Sequence, residues 1–172
     1  MWHDDIKGGK IVIHLDNPSG WRTFGDIGKH IFKSIFSYAQ IHPINIFSIL
    51  VKEQGFVEEF AEIDVIAKHI VLYEKEQPVS TCRIYFNIEK QSFVIGRIAV
   101  VKEWRGKNIG TKIINIAEDS IKTDGGKSAM LSAQVRVAEF YEKQGYKKQG
   151  KAYLDEACPH IWMKKNLEDM DK

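Results

Sequence analysis

The chain has 172 residues, 44% of them hydrophobic and 28% charged, with a formal net charge of +2. That length buries one core without staples, and a charge so near neutral, with no basic run, argues against nucleic acid as a partner. No stretch nears the ~18 apolar residues of a membrane span, and the opening MWHDDIKGGK has no signal-peptide core, so the expectation is one cytoplasmic domain over residues 1–172.

Ile11, Ile13 and Leu15 alternate in KIVIHL, which predicts a strand that the DNPSG turn breaks. Asp26 is placed to cap a helix in which Ile27, Ile31 and Ile35 recur every four residues, widened by Phe32 and Phe36. His42-Pro43 ends it, and Asn45 is placed to cap a second, short helix through Phe47, Leu50 and Val51. GFVEEFAEID is acidic and irregular. AKHIVLYE and VSTCRIYF, joined by KEQP, read as a hairpin. SFVIGRIAVV is a third strand, apolar enough to be central.

Beyond residue 104 helix and strand alternate. Ile109, Ile113, Ala117 and Ile121 share a helical face, closed by the glycines of DGG at 124–126. SAMLSAQ reads as a short strand, VAEFYEKQ as a short helix stopped by Gly145, and YKKQGKAYLDE with HIWMKK as a final antiparallel pair. The order is one mixed α/β (α+β) domain, with a central sheet of about six to seven strands and about four flanking helices.

The stretch WRGKNIGTKII carries the chemistry. Gly106 and Gly110 stand four residues apart where a strand runs into a helix, with Arg105 and Lys107 beside them. Backbone N–H groups converge at a helix start, and glycine lets an anion approach the main chain without a Cβ in the way. The stretch lacks the G-x-x-x-x-G-K-[ST] of a nucleotide loop, since Thr111 follows Gly110, and it lacks G-x-G-x-x-G. On the loop alone, a phosphate site and an ordinary tight turn both stand.

The flanks resemble the GNAT superfamily of acyl-CoA-dependent N-acetyltransferases. Arg105 and Gly110 match its [Q/R]-x-x-G-x-[G/A] loop, with Asn108 where glycine is usual, a residue that tolerates positive φ. GRIAV resembles its central strand, and VAEFYEKQGY its late helix with the tyrosine in register. SAQVRVAEFYEKQGY and PHIWMKK are similar to the ElaA-like branch, as is the acidic KEQGFVEEFAEID. Two departures mark this chain: Ile46 replaces the arginine expected before the acidic motif, and Ala157 and Cys158 alter the turn in EACPH.

The resemblance implies the GNAT fold, in which the central strand splays from SAMLSAQ and the pantetheine arm enters like an extra strand. By the same resemblance Ile98, Ala99 and Val100 would hold that arm through their main chain, one N–H facing the developing oxyanion. The rest of the implied acetyl-CoA contact set is Arg105, Gly106, Lys107, Asn108, Ile109, Gly110 and Thr111, with Gln134, Phe140 and Lys143. Tyr141 would be the general acid, a phenol that keeps its proton at neutral pH. Glu53, Glu58, Glu59, Glu62 and Asp64 would crowd the acceptor wall; Glu53 and Glu62 are base candidates, with no single one selected.

The reaction needs no metal or covalent intermediate, because a thioester is already activated. The six histidines are scattered and read as surface or structural residues, and Cys82 and Cys158 form no metal-ligand or redox spacing. The expected activity is acetyl transfer from acetyl-CoA, a cosubstrate, to an amine of a small molecule or peptide. In the fold it resembles the final strands often mediate dimers, and the sequence leaves the oligomeric state, monomer or homodimer, open. Two other readings stand beside this one: a GNAT-fold module that binds acyl-CoA without turnover, and an unrelated nucleotide-binding α/β protein.

Overall fold

The computed structural model describes residues 10–14, 22–24, 63–74, 77–155 and 157–168. The strands are β1 (Lys10–His14), β2 (Arg22–Phe24), β3 (Lys68–Glu74), β4 (Gln77–Asn87), β5 (Ser92–Val100), β6 (Ser128–Gln134), β7 (Lys147–Asp155) and β8 (Cys158–Asn166). The helices are α1 (Ile63–Ile66), α2 (Ile109–Thr123) and α3 (Ala138–Lys143), with short 3-10 turns at Lys102–Trp104 and Val135–Val137. The strands form one sheet in the order β2, β1, β3, β4, β5, β6, β8, β7. β1 with β3 and β5 with β6 run parallel; the other neighbours are antiparallel.

The hairpin, the central strand and the α2–β6–α3–β7–β8 succession follow the sequence expectation. Three features do not. Arg22–Phe24 adds a strand beside β1, so the described sheet has eight strands. Ile63–Ile66 forms one helical turn that starts at the end of the segment read as irregular and runs two residues beyond it. Residues 135–137 make a 3-10 turn before α3. The helices expected near 26–36 and 45–51 lie outside the described residues.

Packing gives the sheet two faces. Ile109, Ile113, Ile114, Ala117 and Ile121 form the buried stripe of α2 and pack with Ile70, Leu72, Cys82, Ile84, Ile95, Leu131 and Met163. These strand residues alternate with Arg83, Tyr85, Val94, Gly96, Ser132, His160 and Trp162, which therefore point to the opposite face. Both ends of α2 have their local reasons. Asn108, the N-cap, is left-handed at φ 59° and ψ 13°. At the other end Gly125 has φ 77° and Gly126 N–H donates to the Ile121 carbonyl at 2.8 Å, satisfying a carbonyl the helix leaves open.

Candidate active site

The ladder between β5 and β6 sets the site. Their pairing consists of Phe93 with Ala129 and Val94 with Met130, and it goes no further. Beyond that point β5 keeps β4 as its partner, and β6 keeps β8 to its last residue. A bulge helps the divergence: Gly96 pairs with Arg83 and Ala99 with Thr81, so two residues of β5, Arg97 and Ile98, face one of β4. Arg97 takes φ 51° there. An extra residue in one strand bends it and increases its twist. The result is a cleft between two parallel strands, with one edge of each strand unpaired.

A cavity of about 1220 Å³ fills this opening. Its lining includes Ile98, Ala99, Val100, Arg105, Gly106, Asn108, Ile109, Gly110, Thr111, Gln134, Phe140 and Tyr141. Most of the residues singled out from the sequence thus converge here. Two do not join the lining. Lys107 Nζ lies 4.5 Å over the Trp104 ring, and Lys143 Nζ pairs with Glu139 Oε1 at 2.8 Å on an exposed helical face. An i,i+4 carboxylate is simply the nearest partner for that lysine. Glu53 and Glu62 lie outside the described residues.

The loop before α2 leaves a row of backbone donors open. Among the described residues, no backbone acceptor is found for the N–H groups of residues 106–111. They are the open donors of a 15-residue helix and the turn leading into it. Gly106 has φ 75°, and nothing stands within 4 Å of the place a Cβ would take, so its conformation requires glycine while its surroundings stay open. Gly110 is different. A Cβ there would stand 3.2 Å from Phe140 Cζ, so the ring of α3 closes on the bare backbone of α2. Arg105 folds back, its Nε–H donating to the Val100 carbonyl at 3.0 Å, and so ties the loop to the end of β5. The Ala99 carbonyl accepts the buried Ser80 hydroxyl at 2.8 Å.

Tyr141 reaches the cavity from the α2 side of the sheet. Its ring meets Phe140 edge-on at 5.1 Å and Tyr146 at 6.2 Å. Burial, with Cys82 a lesser cause, pushes its phenol up to about 12. Desolvation penalises a phenolate, so the hydroxyl remains a donor across the neutral range. Burial also pushes the Cys82 thiol far above its ordinary value, which leaves little thiolate to act as a nucleophile.

The opposite face of the sheet supplies residues that sequence reading passed over: Arg83 and Tyr85 of β4, Ser132 of β6, Tyr153 and Asp155 of β7, and His160 and Trp162 of β8 all line the same cavity. Tyr153 is held by a 2.5 Å hydrogen bond between its hydroxyl and Ser132 Oγ, and its ring lies 20° from parallel with Trp162. The available signal was period two. Once Ile161 and Met163 are read as core, His160 and Trp162 must share the other face.

Comparison with known proteins bears on family and fold. A family profile described as an acetyltransferase (GNAT) domain matches residues 27–167. The uncharacterized N-acetyltransferase YjcF of Bacillus subtilis (strain 168) is 32% identical over 121 residues, spanning 69% of this chain and 85% of that protein. Escherichia coli ElaA has the same fold, with a TM-score of 0.64 at 21% identity over 78% of this chain and 89% of that one. An aminoglycoside 6'-N-acetyltransferase, solved with coenzyme A, gives a TM-score of 0.57 at 17% identity over 77% of this chain and 96% of its own. At those two identities the likeness is one of fold.

Proposed function

The chain belongs to the GNAT acetyltransferase family, and from that premise we propose that it transfers an acetyl group from acetyl-CoA to a primary amine. In this reading residues 1–172 act as a single GNAT domain, and the acceptor, a small molecule or a peptide, attacks directly within a ternary complex. The observation that carries the proposal is the early end of the β5–β6 ladder at Val94 and Met130. It leaves strand edge unpaired where the anion-ready loop, the cavity and Tyr141 meet.

Each residue then has a task. The N–H groups of residues 106–111 receive the pyrophosphate of CoA, and the glycine at 110 lets the Phe140 ring close on the helix start beside them. The exposed edge of β5 at Ile98, Ala99 and Val100 aligns the pantetheine arm through main-chain groups. In the transfer, the amine nitrogen bonds to the acetyl carbon and the carbon–sulfur bond breaks. The proton that ends on sulfur balances the one the amine gives up.

Tyr141 serves the leaving sulfur. A phenol near 12 stays protonated, but its phenolate is a stronger base than a thiolate, whose acid sits near ~8.5. Its service is therefore to donate a hydrogen bond as charge develops on sulfur, worth most in a desolvated site. The test is turnover: thiol release from acetyl-CoA measured against a panel of polyamines, amino sugars and peptides, with product mass increased by one acetyl group. Tight CoA binding with no turnover on any amine would replace this reading with that of a non-catalytic acyl-CoA-binding module.

A further inference from the structure

An acceptor ammonium must lose a proton before its nitrogen can attack a thioester, and the structure assigns that proton a destination: we propose that His160 Nε2 is the base of the transfer reaction. The inference rests on the acetyltransferase reading above and adds to it the residue that activates the acceptor.

Three observations carry it. The first is the tautomer. His160 Nδ1 lies 2.9 Å from the carbonyl oxygen of Cys158. A carbonyl offers only lone pairs, so Nδ1 carries the hydrogen and donates, and the neutral ring keeps its free lone pair on Nε2. That nitrogen has no hydrogen-bond partner among the described residues.

The second is placement. His160 is buried at 6% relative exposure but lines the cavity, so the ring borders the site and is screened from the open surface. It pairs with Gln134, the last residue of β6, at the mouth of the β5–β6 opening. Its neighbours Ile161 and Met163 belong to the core shared with α2, which puts the imidazole on the opposite face. Tyr141 approaches the same cavity from the α2 side. The hydrogen-bond donor for sulfur and the base for nitrogen thus flank the opening from the two faces of the sheet, as a reaction that develops charge at sulfur and removes a proton at nitrogen requires.

The third is support. Tyr153 pairs with His160 across the β7–β8 ladder, the two rings lie 6.2 Å apart, and Ser132 fixes the Tyr153 hydroxyl. A base held on one side by a main-chain carbonyl and on another by a fixed ring keeps its lone pair aimed. The imidazolium formed on accepting the proton keeps its Nδ1–H on Cys158. The charged and titratable groups that share the cavity with it are Arg83 and Tyr85 of β4, Arg97 of β5, Arg105 of the loop before α2, Arg136 after β6, Tyr141 of α3, and Tyr153 and Asp155 of β7.

The test is His160→Asn, which keeps a short donor for the Cys158 carbonyl and removes the base. At neutral pH kcat with an alkylamine should fall roughly 10²-fold, with acetyl-CoA affinity and melting temperature unchanged. The deficit should shrink as pH rises toward the amine's own value, near ~10 for an alkylammonium, because solution then supplies neutral amine. A purely structural histidine gives no such recovery. Should the asparagine variant lose its fold, His160→Ala assayed with added imidazole decides: rescue supports the base, and no rescue overturns it. An unchanged pH–rate profile in His160→Asn, together with loss of the acid limb in Glu53→Gln or Glu62→Gln, overturns the assignment and leaves the transferase reading standing. If wild type binds CoA and turns over no amine, the transferase reading fails and the base falls with it.

Discussion

Phe140 Cζ stands 3.2 Å from the position that a β-carbon at Gly110 would occupy. The contact joins the second residue of α2 to the ring of α3 and closes the anion loop from above. Gly110→Val should weaken CoA binding by more than about tenfold, measured by calorimetric titration, because the ring must move or the loop must open. Trimming the ring should relieve the strain: Gly110→Ala with Phe140→Leu should bind better than the product of the single effects predicts. Additive losses would show that the two residues act separately.

Asn108 holds φ 59° and caps α2 without a side-chain hydrogen bond. The residue is therefore there for its backbone. Asn108→Gly should keep or raise both stability and CoA affinity, since glycine has no Cβ penalty in this conformation. Asn108→Val should cost about 1–2 kcal/mol in urea unfolding, the usual cost of a branched residue held left-handed. Equal stability of the two variants would refute a backbone role.

Tyr141→Phe removes one hydroxyl and keeps the ring that packs on Phe140 and Tyr146. If the phenol serves the leaving sulfur, kcat should fall by roughly 10² while acetyl-CoA affinity holds. A small change in rate with intact binding would assign that task to water.

The same phenol fixes a pH dependence. Its folded value, about 12, lies above the ordinary phenol value of 10.0, because burial disfavours the phenolate. Folding therefore favours the protonated form. The associated stability is fully present below about pH 10 and is lost as pH rises through about 12. Urea midpoints should drop over that alkaline window and drop less in Tyr141→Phe. An identical alkaline slope in the variant would contradict the assignment.

Glu118 and Lys165 form a nearly buried ion pair between α2 and β8, at 2.6 Å. Breaking it from one side leaves an uncompensated charge in the core, so Lys165→Met should cost about 3–5 kcal/mol. Glu118→Leu combined with Lys165→Met should recover most of that loss. Denaturation in urea reads both, and a double variant as unstable as the single would show that the pair contributes more than charge compensation.

Much of this fold was legible before any coordinate. The 3.6-residue period of Ile109, Ile113, Ala117 and Ile121, the glycine stop after Thr123, and the β-rich, apolar runs of the central strands are local signals, and the elements formed where those signals lay. The turn from β5 into α2 was legible for the same reason, since an Arg, two glycines and a helix start are neighbours in sequence. What the chain by itself did not determine was non-local. The end of the β5–β6 ladder at Val94 depends on a bulge at Arg97 and on partners from β4 and β8, which only pairing across the whole sheet decides. His160 looked like one scattered histidine among six. Its meaning came from register: pairing with Gln134 and Tyr153 carries it to the mouth of the opening, opposite Tyr141, and a single-residue slip would have buried it with Ile161 instead.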